Sequence, residues 1–513
     1  MSNAKRLMQN TMLLTVTNFI MKTVSMAFSV YLTNKIGADG IGLFQLISAV
    51  YGMAVTFASG GVRLAAMRLV ADDSALGKRN ERRIILLCTV YSLICGVIIA
   101  AVMCIFSTLI GSKWIGDTRS IPSLKILALS LPFVSVSAAL NGYFTAVGKL
   151  FRYTTVQLAE QIFKIAVTVF SLGAVLSYGL EASCVAITVG ITLSEIFSAV
   201  CSYALYLFTS EKSRKSERQN SLVHRLLRIS LPDAIGSEMR SILMTVEHLL
   251  IPVGFRKSGS NPEAALATYG IIHGIALQIV LYPSALLSSL SGLLVPEISS
   301  HYISGRTSRI TYIISRVLHL ALIFSIGTAG IMYSNSAALS EAIYGSTDAA
   351  LYMQVFAPLI PVMYMDMTID GMLKGLDQQV SYMRYNIIDA SLCVILVYFL
   401  VPIFSVQGYI MVVFVSELVN FVLSFRRLTV VSEVRVSLFK DILIPLLSVI
   451  GANLVKNLVF SLFNPAWGIK ASVTVSILMS VAVYAVLLVI FGSVDREELA
   501  WLSRFFNRSH GKI

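Results

Sequence analysis

The chain has 513 residues, is 56% hydrophobic, and carries 13% charged residues with a formal net charge of +13. Soluble domains usually carry about 25% charged residues, so an ordinary soluble globular fold is excluded. Apolar runs of roughly 20 residues recur along the whole length, each long enough to cross a hydrocarbon core of about 30 Å. They predict an all-α polytopic membrane protein.

Fourteen transmembrane helices are predicted, centred near residues 22, 55, 97, 135, 166, 195, 241, 280, 323, 363, 395, 418, 453 and 482. No signal-peptide pattern stands at the start, so the first run is read as a retained span; it carries Asn18 and Lys22. The second ends near Arg63, which either lines the mouth of a cavity or snorkels to the interface. Span 4 carries Asn141. Span 5 contains QLAEQIFKIAVTVF (157–170), with Glu160 one turn before Lys164, the favourable order for an intrahelical ion pair.

After span 6 comes TSEKSRKSERQNSLVHRLLRIS (209–230). It reads as a flexible connector and an amphipathic lead-in to span 7, with Pro232 near the turn. Span 7 carries Arg240, Glu247 and His248, and span 10 places Asp366, Asp370 and Lys374 on one face. His248, His273 and His319 are the histidines a proton relay would use. The tail DREELAWLSRFF (495–506) puts Leu499, Leu502, Phe505 and Phe506 on one side of a predicted interfacial helix. All six cysteines lie inside apolar runs without CxxC or Cys/His spacing, so they read as inert thiols, and no metal or other cofactor is expected.

Loop charge sets the orientation. With the N-terminus inside, 27 of the 40 Lys/Arg fall in cytoplasmic segments, 7 on the other side and 6 within spans. Both termini are therefore expected in the cytoplasm. The same asymmetry, with attraction to anionic inner-leaflet lipids, accounts for the positive charge without a nucleic-acid partner.

An internal repeat is visible on sliding 131–165 by 229 residues. Pro132 meets Pro361, Asn141-Gly142 meets Asp370-Gly371, Tyr153 meets Tyr382, and Glu160 meets Asp389. With six spans in each half, the repeat is parallel, as in some transporter folds. The expected organisation is an N-lobe (1–208), a cytoplasmic linker (209–230), a C-lobe (231–430), and spans 13–14 with the tail (431–513).

Counting at about 1.5 Å per residue, Lys22, Lys164 and Arg240 sit roughly 14–16 Å deep, near the midplane. An ionised side chain there costs roughly 2.5–3.5 kcal/mol on insertion scales, so each needs a partner or a wet cavity. A phosphate-bearing anion is the natural complement. The alternative is an internal acid, and for Lys164 that acid is Glu160. Asn18 and Asn141 join Lys22, Arg63, Glu160, Lys164 and Arg240 as candidate substrate-binding residues. Asp366, Asp370 and Glu247 are candidate carboxylates for a coupling cation, H⁺ or Na⁺, although an Asp370–Lys374 pair also explains part of that set. GxxxxGK[ST], HExxH and GxSxG are absent, and no extramembrane loop is large enough for a catalytic domain.

Three stretches resemble one family. NGYFTAVGKLFRYTTVQLAEQIFKI resembles the GYF-x-G…E-Q-x-x-[RK] segment of bacterial polysaccharide exporters. GVRLAAMRLVADDSALGKRNERRI resembles their basic segment after span 2, and NKIGADGIGLFQL their first external turn. Together they resemble the stage V sporulation protein B group of the multidrug/oligosaccharidyl-lipid/polysaccharide flippase superfamily, related to lipid II flippases. The resemblance covers spans 1–12 and matches spans 13–14 in number alone.

That resemblance implies a V-shaped, MATE-like transporter of two six-helix lobes with a cationic cavity and alternating access. Its cargo would be an undecaprenyl-diphosphate-linked oligosaccharide, moved from inner to outer leaflet and connected in this group with spore cortex peptidoglycan. Lys22, Arg63 and Arg240 fall near the family's cavity arginines. Lys22 stands where that family commonly has Arg, replacing a bidentate fork with a point charge. The expected partners are the lipid-linked anionic oligosaccharide, membrane lipids and a coupling cation, acting on a monomer in the cell membrane. The rivals are an ion-coupled multidrug antiporter of the same fold, which would favour an acidic cavity, and a membrane-embedded glycosyltransferase, which would need a catalytic acid in a sizeable outer loop.

Overall fold

The computed structural model of the chain describes residues 3–75, 80–209, 222–434, 437–463 and 468–494. Most of the predicted linker (210–221) and the tail helix (495–506) lie outside the described residues. Seventeen α-helices and no strand occur among the described residues, as expected where lipid offers the backbone no hydrogen-bond partners.

Helix α1 (Asn3–Ser59) is broken at Gly37, whose φ of 75° and ψ of 177° favour glycine. It is followed by α2 (Val62–Ala75), α3 (Glu81–Leu109), α4 (Ile121–Ala128), α5 (Leu131–Ala146), α6 (Leu150–Val175), α7 (Leu180–Thr209), α8 (Leu222–Lys257) and α9 (Pro262–Tyr269). Then come α10 (Leu277–Leu281), α11 (Ser284–Ile303), α12 (Thr307–Tyr344), α13 (Ala350–Phe356), α14 (Ile360–Gly375) and α15 (Gln379–Ser432). The last two are α16 (Ile444–Phe463) and α17 (Ile469–Ile490). Helix α15 breaks at Ser405, three residues after Pro402 removes a backbone donor.

Among the described residues ten helices can cross a membrane by length and composition, or eleven if the pair Thr118–Ala128 and Leu131–Ala146, bent by 47°, counts as one span. This is a multi-pass membrane protein. The count differs from the expected fourteen for two physical reasons. The continuous helical stretches Thr17–Ser74 and Gln379–Ser432 are 58 and 54 residues long, each long enough to cross twice. Helix α8 falls short because Arg228, Asp233, Glu238, Arg240 and Glu247 interrupt its apolar run. Fourteen crossings belongs with the proposals below.

The chain packs as two units, residues 35–270 with 397–403, and residues 1–34 with 271–396 and 404–513. In the first, Val62, Leu69, Ile84, Leu140, Tyr143, Phe144 and Leu226 bury one core between α2, α3, α5 and α8. In the second, α12 packs with α14, α16 and α17, and α11 with α14. These groupings differ from the repeat-based division at 208 and 231.

The 229-residue register reappears in the helices themselves. Helices α4, α5 and α6 begin at 121, 131 and 150, and α13, α14 and α15 at 350, 360 and 379. The aligned glycines do the same work. A Cβ on Gly142 would lie 2.5 Å from the Arg63 carbonyl oxygen on α2, and one on Gly371 would lie 1.6 Å from Ser291 Oγ on α11.

Candidate functional site

In the unit of residues 35–270, α6 and α7 lie against each other, with the Phe163 and Phe197 rings stacked at 4.8 Å. This packing brings Glu160 and Lys164 on α6 close to Glu195 on α7, all three half-buried. Glu160 and Lys164 interact electrostatically, and Glu195 interacts with both. Ser198, one turn beyond Glu195, is within hydrogen-bonding reach of Glu160. The Tyr51 hydroxyl bonds to Ser130 Oγ at 2.7 Å and feels both carboxylates. Tyr153 lies within reach of Asn141 and feels Glu160, Glu195 and the exposed Arg63.

Lys164 therefore faces two carboxylates, where sequence reasoning weighed one. Glu195 was visible all along as the acid in the apolar stretch ITLSEIFSAV. An anion that draws Lys164 away must compete with both acids, and a buried carboxylate left without its cation is costly.

Helix α8 is seated on the second half of α1. Thr245 Oγ1 donates to the Ala49 carbonyl at 3.2 Å, and Ser241 Oγ to Thr56 Oγ1 at 3.4 Å. This places Arg240 and Glu247, both half-buried, on a helix fixed by its hydroxyls. His248 Nδ1 bonds to the Tyr269 hydroxyl at 2.9 Å.

Asn18 and Lys22 belong to the other unit and are exposed along the first half of α1. Next to Lys22, Thr23 Oγ1 bonds to the Tyr282 hydroxyl at 2.8 Å. On α14, Asn420 Nδ2 donates to the buried Asp366 carboxylate at 2.8 Å, while Asp370 is half-buried. Lys374 places its ammonium 4.2 Å from the centroid of the Tyr382 ring, a cation–π contact. His273 Nε2 bonds to the Tyr409 hydroxyl at 2.8 Å.

The repeat also shows in these contacts. Asp389, aligned with Glu160, accepts a short hydrogen bond from Ser416 on the following helical segment. Cys393, aligned with Lys164, donates its thiol to the same Ser416 oxygen at 2.9 Å. The first repeat thus pairs an acid with a cation where the second pairs an acid with a hydroxyl. No group of three His, Cys, Asp or Glu side chains able to hold a metal ion occurs among the described residues.

Charged side chains held inside long apolar helices, Lys164 with Glu160 and Glu195 and Asp366 with Asn420, are the mark of a substrate or ion pathway in a multi-pass membrane protein. Residues 7–301 match the family described as polysaccharide biosynthesis protein, and the chain belongs to that family. It is 21% identical over 508 residues to stage V sporulation protein B of Bacillus subtilis (strain 168), covering 96% of each chain. It is 19% identical to sporulation protein YkvU of the same organism, covering 85% of this chain and 97% of that one.

Its fold is similar to that of the lipid II flippase MurJ in an inward closed conformation. The TM-score is 0.71 at 14% identity, over 94% of this chain and 98% of the other. An inward-facing multidrug resistance MATE family transporter of the MOP superfamily is similar at TM-score 0.65 and 13% identity, over 81% and 96%. These two structures are of a flippase and of a transporter.

Proposed function

We propose that the chain is a flippase that moves an undecaprenyl-diphosphate-linked oligosaccharide, a peptidoglycan precursor or related polysaccharide unit, from the inner to the outer leaflet of the cell membrane. A role in spore cortex synthesis is part of that proposal. The observation that carries it is Lys164, kept inside an apolar helix against Glu160 and Glu195 in a chain of the polysaccharide biosynthesis family. A diphosphate crossing hydrocarbon needs counter-charge at depth, and by helix rise Lys22, Lys164 and Arg240 each fall roughly 14–16 Å into their own spans.

Fourteen crossings, cytoplasmic termini, and two repeats (1–208 and 231–430) that are joined by the 209–230 linker and rock about the repeat axis complete the reading, with spans 13–14 and the tail at 431–513. Asp366, Asp370 and Glu247 are the carboxylates assigned to a coupling H⁺ or Na⁺, and the protein works as a monomer among membrane lipids.

Binding of a purified lipid-linked diphosphate oligosaccharide to the detergent-solubilised protein tests this. Lys22→Ala and Arg240→Ala should each weaken binding roughly tenfold or more, the effect of losing one charge-assisted hydrogen bond, with expression and melting temperature near normal. Unchanged affinity in both variants contradicts the assignment. The half-buried Glu195 and the buried Asp366, both in apolar helices, favour a second reading as a drug/cation antiporter. Tight binding of a lipophilic cation, with none of the diphosphate lipid, would select it.

A further inference from the structure

Helices α16 and α17 lie beyond the six-and-six repeat and pack on α12. Apolar side chains gain little by leaving lipid for another helix, so such a bundle is held by close packing and hydrogen bonds. Close packing comes at Gly327, where a Cβ would lie 2.5 Å from the Tyr484 ring; the Tyr484 hydroxyl donates to the Ile323 carbonyl at 2.8 Å. Two polar clusters flank that contact.

One is built on Lys456 of α16, buried in the bundle. Its ammonium donates to Ser334 Oγ at 3.3 Å and Asn335 Oδ1 at 3.4 Å, both on α12. Ser476 of α17 donates to the same Asn335 oxygen at 2.6 Å, and Asn453 Nδ2 to the Gly330 carbonyl at 3.0 Å.

The other is built on His319 of α12, which is also buried. Its Nδ1 lies 2.6 Å from Asp441 Oδ1, in the turn that leads into α16. Its Nε2 lies 2.9 Å from the Ser493 carbonyl oxygen, just past the end of α17. The other Asp441 oxygen accepts the Ser437 N–H at 2.7 Å, and Ser493 Oγ donates to the Lys440 carbonyl at 3.0 Å.

Hydrogen counting decides how this second cluster works. A carbonyl and a carboxylate both accept, so an imidazole between them needs a hydrogen on each ring nitrogen. A neutral histidine supplies one. The cluster is complete only when it holds one further proton, on Nδ1 or on Asp441 Oδ1. Without that proton, a nitrogen lone pair faces an oxygen lone pair in a buried site, a costly arrangement.

We infer that His319 and Asp441 form a proton-operated clasp, which fastens one end of the α16–α17 pair to α12 when protonated and releases that end when the proton leaves. The charged groups around it are Asp441 and Lys440 from the 438–443 turn and Arg316 on α12 itself, whose guanidinium lies 5.5 Å from the Tyr312 ring centroid. Of the other helices packed on α12, α11 carries Glu297 and His301, and α14 carries Asp366, Asp370 and Lys374. Asn335 is sixteen positions beyond His319 on α12, roughly 24 Å along the axis. Release at His319 therefore leaves the Lys456 cluster to hold the pair in the bundle.

Two substitutions separate the clasp from an ordinary ion pair. In Asp441→Asn, the amide N–H can donate to Nδ1 while Nε2–H donates to the Ser493 carbonyl, so the cluster is complete without the extra proton. In His319→Gln, both N–H donors sit on one nitrogen and the amide oxygen takes the place of the other, so two acceptors reached from separate ring nitrogens are not both served. The experiment is hydrogen–deuterium exchange of the full chain in lipid nanodiscs at pH 6 and pH 9, corrected for the intrinsic rate and read over residues 437–443 and 488–494. The wild-type chain should lose protection roughly tenfold or more on going to pH 9. Asp441→Asn should stay protected at both values, and His319→Gln should be unprotected at both. Equal wild-type protection at the two pH values, or an Asp441→Asn chain less protected than wild type at pH 6, overturns the clasp.

Discussion

Lys164 sits between Glu160 on its own helix and Glu195 on the next, and this arrangement governs what substitutions there should do. Exchanging the first pair, as Glu160→Lys with Lys164→Glu, preserves a purely structural contact but places an acid where an incoming diphosphate must be received. Transport by the exchanged chain should fall at least about tenfold with folding intact, on the scale of one lost charge-assisted contact. Near-normal transport would reduce the motif to helix packing. Glu195→Gln relieves Lys164 of one competitor, so the diphosphate lipid should bind several-fold more tightly in an equilibrium titration; weaker binding would mean that Glu195 itself contacts the cargo. The sequence displayed Lys164 and Glu160 because both interrupt an apolar run at helical spacing. Glu195 carries no such signal, because α7 has no Lys or Arg at helical spacing from it. Lys456 has no nearby acid in sequence; its partners come from α12, more than a hundred residues earlier.

Among the elements, the 229-residue repeat was legible down to helix starts, because prolines and glycines fix boundaries locally. Pro132 and Pro361 stand in the first turns of α5 and α14, where a missing N–H costs nothing. Gly142 and Gly371 mark where α2 and α11 approach. Gly142→Leu and Gly371→Leu should each cost about 1–3 kcal/mol or more from overpacking, seen as a lower melting temperature in detergent. Gly52→Ala is the control: nothing lies within 4 Å of a Cβ there, so the melting point should hold or rise slightly. Equal tolerance at all three would mean that the close approaches are not maintained in the membrane. The number of spans was less legible. Hydropathy sees apolar length but does not see that Gly37 and Ser405 break α1 and α15 within long helical stretches, or that α8 carries too many charges to register as a span.

For the whole molecule, composition established a multi-pass membrane protein, and three short motifs pointed to the family that residues 7–301 match. What the sequence did not display is the grouping of the chain into units, since contact between distant segments leaves no local periodicity to read. It also gave no sign that α12 is the seat of α16 and α17, because the α12 side of that seam uses glycine, serine, asparagine and one histidine, none of them unusual in isolation. The proposed cargo is a lipid diphosphate, which cations inside apolar helices would receive. Translocation in proteoliposomes tests it most directly, with a fluorescent undecaprenyl-diphosphate oligosaccharide in the membrane and an outer-leaflet reagent as reporter. The account predicts protein-dependent loss of leaflet asymmetry that Lys22→Ala and Arg240→Ala slow roughly tenfold or more. An equal rate for a lipid-linked oligosaccharide lacking the diphosphate, or no protein-dependent movement of either lipid, would contradict it.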